Sequence, residues 1–292
     1  MQIDLRPGKY VVAVSGGVDS MVLLNVLSKQ PGLQLVVAHF EHGIRSDSDE
    51  DRVLVEREAK RLGLPFVCEH GKLGAGASEA AAREARYGFL RTVQKTNGAR
   101  AIITAHHQDD LIETAILNML RGTGRKGLSA LADSHDIIRP LLHIPKAEIL
   151  SYALAHHIVW REDSTNADDA YLRNYIRHTV MPKLGDQGRA QLLAYIDKAQ
   201  DANPQIDRLL AIDIAAHEHT DGLERHWFIM LPYDVSCEAV AAWLRQQGVR
   251  DFDRSTIERL VVQAKVGQPG KQYNVLAGRF LKVAKTRLQL TP

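Results

Sequence analysis

Two clusters of residues in this chain have the types and spacing needed to bind a nucleotide and to move a proton. The first is the run Ser-Gly-Gly-Val-Asp-Ser, which directly follows an apolar run at 10–14. Glycines let the backbone turn tightly so that its N–H groups face an anion, and a helix that begins here adds its positive N-terminal end. The run therefore predicts a phosphate-binding loop made of Ser15, Gly16, Gly17, Val18, Asp19 and Ser20.

The residues of this loop also indicate which part of a nucleotide it binds. No Gly-Lys-Ser/Thr follows the glycines, so the loop is not a Walker A sequence. A phosphate loop without that lysine suits a pyrophosphate leaving group, with AMP passed to a second substrate. Asp19 would repel phosphate unless a cation bridges the two, and we expect Mg²⁺ in that role. A surface turn rich in small residues is the alternative, and it explains Asp19 least well.

The second cluster is Thr-Ala-His-His-Gln-Asp-Asp-Leu-Ile-Glu at 104–113. If a helix begins within it, Asp110 and Glu113 are three residues apart and share a face, with His106 just before them. Two carboxylates and an imidazole could bind an ammonium group and remove its proton. The alternative is that the acidic residues are present only because a helix N-terminus favours negative charge. This alternative explains Asp109 as well as a functional role does, but it explains the combination of His106, Asp110 and Glu113 less well.

Two pairs of arginines and one glycine-rich loop have the spacing expected of phosphate or RNA contacts. Arg83 and Arg86 lie three apart in an alanine-rich segment, and Arg173 and Arg177 lie four apart in the segment 171–177. Ordinary solvated helix faces are the alternative for both pairs. The loop that begins at Arg121 carries three cations and three glycines, more than a helix C-cap explains, and it predicts a cover over RNA or a nucleotide.

The last part of the chain is basic. No Asp or Glu occurs in 259–292, whereas Lys271, Arg279 and Lys282 are among its cations. A stretch of one charge sign that contains two strand-like runs predicts a nucleic-acid-binding face. A plain basic hairpin is the alternative.

Alternating strands and helices must position both clusters. The predicted strands are 10–14, 33–39, 65–69, 101–104 and 137–142, and the helices between and after them are 20–29, 49–62, 78–96, 110–120 and 146–156. This alternation predicts βαβ units and a parallel sheet. Ligands on such sheets bind beyond the carboxyl ends of the strands, so we expect 15–20, 39–47 and 105–110 to meet at one edge.

The pattern changes beyond position 161. A helix is predicted over 171–184 and a boundary over 185–188, and helices at 192–202, 204–217, 237–247 and 255–265 precede strands at 273–276 and 280–284. We therefore predict an α/β domain over 1–188, with a Rossmann-like parallel sheet and helices on both faces. A smaller α+β domain is predicted over 189–292.

The composition is that of an ordinary globular protein, with 45% hydrophobic and 25% charged residues among 292. The net charge of +2 does not by itself indicate nucleic acid. Cys68 and Cys237 are isolated, so neither a disulfide framework nor a cysteine metal site is expected. The chain starts without a signal-peptide pattern and has no apolar run near ~20 residues, so the cytoplasm is the expected location. The sequence does not define the oligomeric state, and a homodimer is one option.

Taken together, these motifs resemble the tRNA(Ile)-lysidine synthetases, a family of PP-loop ATP pyrophosphatases. The resemblance spans 8–185 and extends beyond the loop to HFEHGIR at 39–45, EAAAREARY at 79–87, HHQDDLIET at 106–114, RGTGRKGL at 121–128, RPLL at 139–142, EDSTN at 162–166 and RNYIR at 173–177. It implies the PP-loop ATPase fold, which is similar to that of the adenine nucleotide alpha hydrolases. It further implies that 1–188 is the catalytic PP-loop ATPase domain and 189–292 a C-terminal tRNA-binding domain. Longer members carry two C-terminal modules, and 189–292 has room for one.

The resemblance also implies a reaction. Members use ATP to adenylate the C2 oxygen of cytidine 34 in the CAU anticodon of tRNA(Ile), and the ε-amine of free L-lysine then attacks C2 and expels AMP. By position, loop 15–20 would bind the ATP phosphates with Asp19 on Mg²⁺-pyrophosphate, His39 and Phe40 would lie near the adenosine, and Arg86 would stabilise charge on the α-phosphate. Lysine would be bound and deprotonated by His106, Asp110 and Glu113. The tRNA contacts would be Arg83, Arg121, Arg173, Arg177, Lys271, Arg279 and Lys282.

Two other functions are compatible with parts of the sequence. Enzymes that make 2-thiocytidine in tRNA share the PP-loop and a similar His-His-x-Asp-Asp segment, but they rely on paired cysteines for an iron–sulfur cluster. Cys68 and Cys237 form no C-x-x-C pair. A non-catalytic RNA-binding protein would not need Asp19 together with the trio of the second cluster.

Overall fold

A computed structural model describes residues 1, 3–41, 48–71, 79–131, 136–162, 172–249, 252–276 and 278–292. The strands are β1 Gly8–Ala13, β2 Leu33–Glu41, β3 Phe66–His70, β4 Ala101–Ile103, β5 Ile137–Ile138, β6 Glu218–His219, β7 Gly222–Glu224, β8 Gln272–Leu276, β9 Arg279–Val283 and β10 Arg287–Thr291. The helices are α1 Val18–Ser28, α2 Ser48–Arg61, α3 Glu79–Thr96, α4 Gln108–Leu120, α5 Arg125–Leu128, α6 Lys146–Ala155, α7 Leu172–Tyr175, α8 Met181–His217, α9 Arg225–Met230, α10 Tyr233–Gln246 and α11 Arg254–Val266. A π-helical turn, Ile176–Val180, connects α7 to α8.

The chain forms two compact units. The first comprises Met1–Thr114 and Leu131–Arg189, and the second comprises Ala115–Ala130 and Ala190–Pro292. The grouping of Ala115–Ala130 with the C-terminal residues was not predicted from the sequence. The functional division into a catalytic domain and a tRNA-binding domain stays a prediction.

The first unit contains a parallel sheet with the strand order β3-β2-β1-β4-β5. This confirms the predicted α/β fold. Because the order reverses between β1 and β4, the loops after these two strands flank the crevice where such sheets bind ligands. The phosphate-binding loop follows β1, and the segment 104–107 follows β4, so the two predicted clusters lie at that crevice.

Side chains alternate across the sheet, and helices cover both faces. Tyr10 and Val12 pack in a core cluster with residues of α1, α2 and α6, whereas Val11 packs in another with Tyr87 and Leu90 of α3. Because successive strand residues point to opposite faces, a strand buried on both sides reads as a continuous apolar run. This explains why 10–14 has no polar alternation.

The second unit contains an antiparallel sheet with the order β6-β7-β10-β9-β8. Its core includes the buried side chains of Phe228 and Trp243. Arg225 is also buried, and its guanidinium donates to the backbone carbonyls of Ala264, Lys265, Gly267 and Ala284. Four carbonyl acceptors compensate for the loss of water around this charge.

Several elements differ from the sequence-based expectations. Strands β6, β7 and β10 and helix α9 were not predicted. Strands β6 and β7, with two and three residues, are too short to show alternation. Strand β5 ends at Ile138 instead of 142, and Pro140 has no N–H to continue the ladder. Helix α8 runs through both the predicted boundary at 185–188 and Pro204, with a kink at Gly185, whose φ is 58°. The motif residues 42–45 and 163–166 lie outside the described residues.

Among the helices that the structure describes, none is both long and apolar enough to cross a membrane.

Candidate active site

Hydrogen bonds that involve the hydroxyl group of Ser20 fix the shape of the phosphate-binding loop. The backbone N–H of Ser15 donates to Ser20 Oγ at 3.1 Å, and Ser20 Oγ donates to the carbonyl of Gly17 at 2.9 Å. Gly16 has φ +96°, a conformation that disfavours any side chain. Gly17 is the N-cap of α1 and has no side chain to cap that helix, so the first turn can present its N–H groups to an anion.

Arg161 links this loop to α2. Its backbone N–H donates to the carbonyl of Gly16 at 3.1 Å, and its side chain contacts Asp51 Oδ1 at 3.0 Å and the carboxylate of Glu50. The acidic first turn of α2 is therefore tied to the backbone of the loop. Arg161 was not predicted as a site residue, because it lies outside every motif proposed to bind phosphate.

Asp19 lies in the first turn of α1 and faces two cationic or potentially cationic groups. Lys146 Nζ contacts Asp19 Oδ1 at 2.5 Å, and His107 Nε2 lies 3.7 Å from Asp19 Oδ2. About a quarter of the Asp19 side chain is exposed (27%), so solvent and ligands can still reach it. The contact with His107 confirms that the segments following β1 and β4 meet at one edge of the sheet.

His106, His107 and Asp110 form a compact polar group before and within the first turn of α4. His106 Nδ1 lies 2.8 Å from Thr104 Oγ1, and the backbone N–H of His107 donates to Asp110 Oδ2 at 3.0 Å. Asp110 therefore also acts as a cap for the start of α4. The structure brings together two of the three residues predicted to bind lysine, and adds His107 beside them.

Burial and nearby charges oppose protonation in this group. Burial lowers the pKa of His106 to about 3, and the charges of Arg139 and Arg86 act in the same direction. Burial alone would raise the pKa of Asp110, but His107, His106 and Arg173 hold it below its ordinary value. In the absence of ligands, His106 is thus neutral and Asp110 is ionised at neutral pH.

Glu113 is almost completely buried and is held by arginines. It is 1% exposed, and Arg177 donates from Nε to Oε1 at 2.7 Å and from Nη2 to Oε2 at 2.9 Å. Arg173 Nε contacts Oε2 at 3.5 Å, and its Nη2 donates to Thr114 Oγ1 at 3.0 Å. Arg173 and Arg177, which were predicted to contact tRNA, therefore bind Glu113, which was predicted to bind the substrate lysine. The bidentate pair raises the pKa of Arg177 through its hydrogen bonds to Glu113.

The two predicted arginines of α3 surround a tyrosine ring. The guanidinium carbon of Arg83 lies 4.8 Å from the Tyr87 ring centroid, and that of Arg86 lies 5.4 Å from it. Arg83 is exposed, whereas Arg86 is partly buried, and burial lowers its pKa. Arg83 Nη2 also donates to the Tyr87 hydroxyl at 3.5 Å, so the tyrosine orients this guanidinium through both its ring and its oxygen.

The two residues predicted to lie near adenosine occupy opposite faces of β2. His39 is buried, its Nδ1 lies 2.8 Å from the carbonyl of Val14, and burial lowers its pKa. Phe40 packs in the core cluster beneath α3, with its ring centroid 5.7 Å from that of Phe89. His39 is thus directly connected to the strand end from which the phosphate-binding loop begins. The adenosine contacts of both residues stay predictions.

The remaining basic residues that the sequence analysis selected lie in the second unit. Arg121 is exposed, as are Lys271 and Arg279, and Lys282 is partly exposed. In the glycine-rich loop, however, Arg125 and Lys126 both form ion pairs with Asp207. Two of the three cations that favoured an RNA-covering loop are therefore engaged within the second unit.

Two residues of the site escaped the sequence analysis although a signal for them exists. Lys146 is the first residue of α6. The helix dipole makes a positive charge unfavourable at a helix N-terminus, so a carboxylate partner for this lysine could have been expected. His107 stands beside His106 in a motif that was recognised, but a buried role could not be assigned from spacing alone. Both contact Asp19.

Comparison with known proteins agrees with this geometry. The PP-loop domain family matches residues 2–184. A protein named tRNA(Ile)-lysidine synthase from Nitrosomonas europaea is 37% identical over 94% of this chain and 63% of its own length. Proteins with the same name from Geobacter sulfurreducens and Thermus thermophilus are 42% and 44% identical, over 65% and 61% of this chain and 43% and 36% of their own lengths. The chain thus corresponds to about a third to two thirds of the length of these relatives.

Among solved structures, the U34-tRNA thiolase NcsA from Methanococcus maripaludis, determined with its [4Fe-4S] cluster, is similar with a TM-score of 0.55. The match covers 68% of this chain and 73% of that one at 15% identity, which supports the fold alone. The family match covers more than half of the chain and includes the phosphate-binding loop and the acidic cluster after β4. The chain belongs to the PP-loop family.

Proposed function

We propose that this chain catalyses the ATP-dependent ligation of L-lysine to C2 of cytidine 34 in the CAU anticodon of tRNA(Ile). The products would be lysidine in the tRNA, AMP and pyrophosphate. The proposal is carried by one observation: an ATP-type phosphate-binding loop and a cluster of carboxylates and histidines meet at the crevice of the sheet, where Asp19 lies 3.7 Å from His107. The relatives named tRNA(Ile)-lysidine synthase support this choice among PP-loop reactions.

The first half-reaction would convert the C2 oxygen into a leaving group. The cytidine oxygen attacks the α-phosphorus of ATP, a P–O bond forms to AMP, and pyrophosphate leaves. The N–H groups at the start of α1 and the hydroxyls of Ser15 and Ser20 would bind the phosphates. Arg86, oriented by its contact with Tyr87, would offset the charge that develops on the α-phosphate.

The residues around Asp19 fit a magnesium ion shared with pyrophosphate. Asp19 supplies one accessible carboxylate, and Mg²⁺ in nucleotide sites is typically held by one or two carboxylates together with phosphate oxygens. When bound, Mg²⁺ would neutralise charge on the departing pyrophosphate. Lys146, which contacts Asp19 directly, would then be released to contact phosphate oxygens.

The second half-reaction would form the C–N bond. A lysine ε-ammonium has a pKa of about 10.4, so it must be bound and must lose a proton before it attacks C2. The ionised Asp110 would bind the ammonium, the Nε–C2 bond would form, and the C2–O bond would break to release AMP. Glu113, which Arg177 holds in place, would help to position the bound ammonium group.

Charge neutralisation links the two halves. His106 is a poor base without ligands because burial and the arginines lower its pKa to about 3. An anionic phosphate beside those arginines would offset their charge and raise the His106 pKa. His106 would therefore be a better proton acceptor with the adenylate in place than without it, while burial, the larger cause, would still lower its pKa.

The tRNA would be bound by cations that the structure leaves accessible. Arg83, Arg121, Lys271 and Arg279 are exposed, whereas Arg173 and Arg177 contact Glu113 and are better placed to position that residue. We place the enzyme in the cytoplasm, the location predicted from its sequence. A homodimer stays a prediction.

Incorporation of labelled lysine tests the proposed activity. Purified protein, ATP and Mg²⁺ should attach lysine to a CAU-anticodon tRNA(Ile) transcript, and a methionine tRNA transcript should remain unlabelled. Omission of ATP or Mg²⁺ should abolish the label. Absence of incorporation by a folded protein under complete conditions would refute the proposal.

Two variants separate the half-reactions. Asp19→Ala should lose both pyrophosphate release and lysine transfer, because Asp19 acts in the activation step. Glu113→Gln should still release pyrophosphate in the presence of tRNA but lose lysine transfer. Far-UV circular dichroism checks that the buried substitution has not unfolded the protein. If both folded variants keep full lysine transfer, the roles are assigned wrongly.

A further inference from the structure

Three side chains with metal-binding chemistry meet at the edge of the parallel sheet, apart from the residues around Asp19. Glu41 ends β2, and Cys68 and His70 lie in the last part of β3. One donor atom from each residue lies within 4.8 Å of the other two. The register pairs Glu41 with His70, and Cys68 is two residues before His70, so the three share a face of the sheet.

We propose that Glu41, Cys68 and His70 form a binding site for Zn²⁺, a site additional to the activity proposed above. A thiolate, an imidazole and a carboxylate are the three ligand types that zinc prefers in proteins. Mg²⁺ takes oxygen ligands and is not suited to this set. Three protein ligands leave the fourth tetrahedral position for water.

The distances suit an ion without rearrangement of the backbone. Zinc bonds of about 2.0–2.3 Å in a tetrahedron place ligand atoms roughly 3.3–3.8 Å apart. Donor atoms at the 4.8 Å limit need to approach by about 1.0–1.5 Å, which side-chain rotation can supply. His70 Nδ1 and Glu41 Oε2 are already in contact at 2.6 Å, so the ion would enter by parting this pair.

The backbone around the three ligands is held by the sheet. The β2–β3 ladder pairs residues from Val37–Phe66 to Glu41–His70, and the N–H of Gly71 continues it by donating to the carbonyl of Glu41 at 2.7 Å. Glu41 is buried, Cys68 is half-buried and His70 is exposed. The site is therefore preorganised at its base and open to solvent on the His70 side.

A nucleophilic or redox-sensing role for Cys68 fits these surroundings less well than a zinc site does. Burial, with a further contribution from the Glu41 charge, raises the pKa of Cys68 to about 11. Nucleophilic and redox-sensing cysteines have lowered pKa values in electropositive surroundings. Among the described residues, the charges of Glu41, Glu56 and Asp49 raise the Cys68 pKa and that of Arg52 lowers it, so burial and the nearby acids dominate over the nearby cation.

Cobalt provides a spectroscopic test. The full-length protein, freed of metal by chelation and kept free of ATP, is titrated with Co²⁺ and then with Zn²⁺. We expect one Co²⁺ per chain, a thiolate-to-cobalt charge-transfer band in the near ultraviolet, and loss of that band when Zn²⁺ displaces cobalt. Zinc should also raise the melting temperature, because it binds the folded state.

Matched variants identify the ligands. Cys68→Ser should abolish the charge-transfer band, and His70→Ala should weaken Zn²⁺ binding at least tenfold. Cys237→Ser, which removes the other cysteine, and Asp19→Asn, which alters the proposed magnesium site, should both bind Zn²⁺ as the wild type does. His70 is exposed, so its variant should fold even if the Cys68 variant does not.

The proposal is overturned if the wild type shows no saturable binding or no thiolate band. It is equally overturned if Cys68→Ser and His70→Ala bind as the wild type does, or if Cys237→Ser or Asp19→Asn abolishes binding. None of these readouts depends on tRNA or lysine, so failure of the lysine-transfer activity would leave this result unaffected.

Discussion

Three acidic residues of the candidate site differ in their surroundings, and the surroundings separate their roles. Asp19 is partly exposed and contacts one lysine, so a bound cation or phosphate can replace that contact. Glu113 is buried against Arg177, and removing one partner of a buried ion pair costs about 3–5 kcal/mol. Asp110 lies between these extremes, with His107 and Arg177 both within ion-pair distance. Under the proposed function, we therefore expect Asp110 to be the carboxylate that binds the substrate ammonium.

The neutral state of His106 should be visible in the pH dependence of stability. Its pKa is about 3 in the folded protein and about 6.5 in the unfolded chain. Between those values the unfolded chain binds a proton that the folded protein does not, so acidification favours unfolding. This residue should lower the free energy of unfolding by up to about 1.4 kcal/mol for each pH unit below pH 6.5.

Urea unfolding of wild type and His106→Asn between about pH 6.5 and pH 5 measures this contribution. The variant should lose stability less steeply, although His39, whose pKa is also lowered by burial, will leave a residual slope in both proteins. His143→Asn, at an exposed position, should reproduce the wild-type slope. Identical slopes for wild type and His106→Asn would show that His106 is not held neutral.

At the scale of elements, the glycine-rich loop and α5 are anchored within the second unit. Arg125 Nη2 contacts Asp207 Oδ1 at 2.6 Å and Glu238 Oε2 at 3.0 Å, and Nη1 donates to Asn203 Oδ1 at 2.7 Å. These partners lie on α8 and α10. One arginine therefore joins three helices, a role that the loop's composition did not reveal.

Substitution of two arginines in this loop should separate stability from RNA binding. Arg125→Ala should lower the free energy of unfolding by about 1–3 kcal/mol, because it removes a donor from the buried Asn203 and from Glu238, whereas Asp207 keeps its contact with Lys126. Arg121→Ala, at an exposed position, should change it by less than about 0.5 kcal/mol but weaken tRNA binding. Chemical denaturation and tRNA titration provide the two measurements. Equal destabilisation by both substitutions would contradict this assignment.

Across the whole molecule, the charge distribution is more informative than the net charge of +2. In the second unit, Leu281 and Val283 of β9 are buried, whereas Lys282 between them points to the opposite face of the sheet. Arg279 and Lys271 are exposed nearby in the chain. The absence of acids from 259–292 leaves these cations with few local partners of opposite charge.

The salt dependence of tRNA binding tests this basic region. Replacing both Arg279 and Lys282 by Gln should weaken binding and reduce the slope of log affinity against log salt by about 1–2. Arg287→Gln is the matched control, because Arg287 is paired with Asp221 at 3.0 Å and should leave the slope nearly unchanged. Fluorescence anisotropy over a series of salt concentrations provides the slopes. An unchanged slope in the double variant would exclude the basic region from tRNA binding.

The parallel sheet, the phosphate-binding loop and the position of the acidic cluster could be predicted from the sequence because each depends on local pattern. Apolar runs separated by helical segments indicate βαβ units, and the strand-end rule then places 15–20 and 104–110 at one edge. Short strands such as Glu218–His219 escaped because their pattern is too brief to be recognised. The two-residue β5 was overestimated because Pro140 ends the ladder sooner than hydrophobicity suggests.

The partners of the site residues were decided only by the tertiary structure. Lys146 and Asp19 are 127 residues apart, and Arg177 and Glu113 are 64 apart, so no local spacing connects them. The strand order and register also bring Cys68 beside Glu41, although the sequence shows an isolated cysteine. Local pattern determines which residues follow each strand, because backbone geometry is short-ranged. Which side chains then meet depends on how strands and helices pack, and that packing determines their charge state and chemistry.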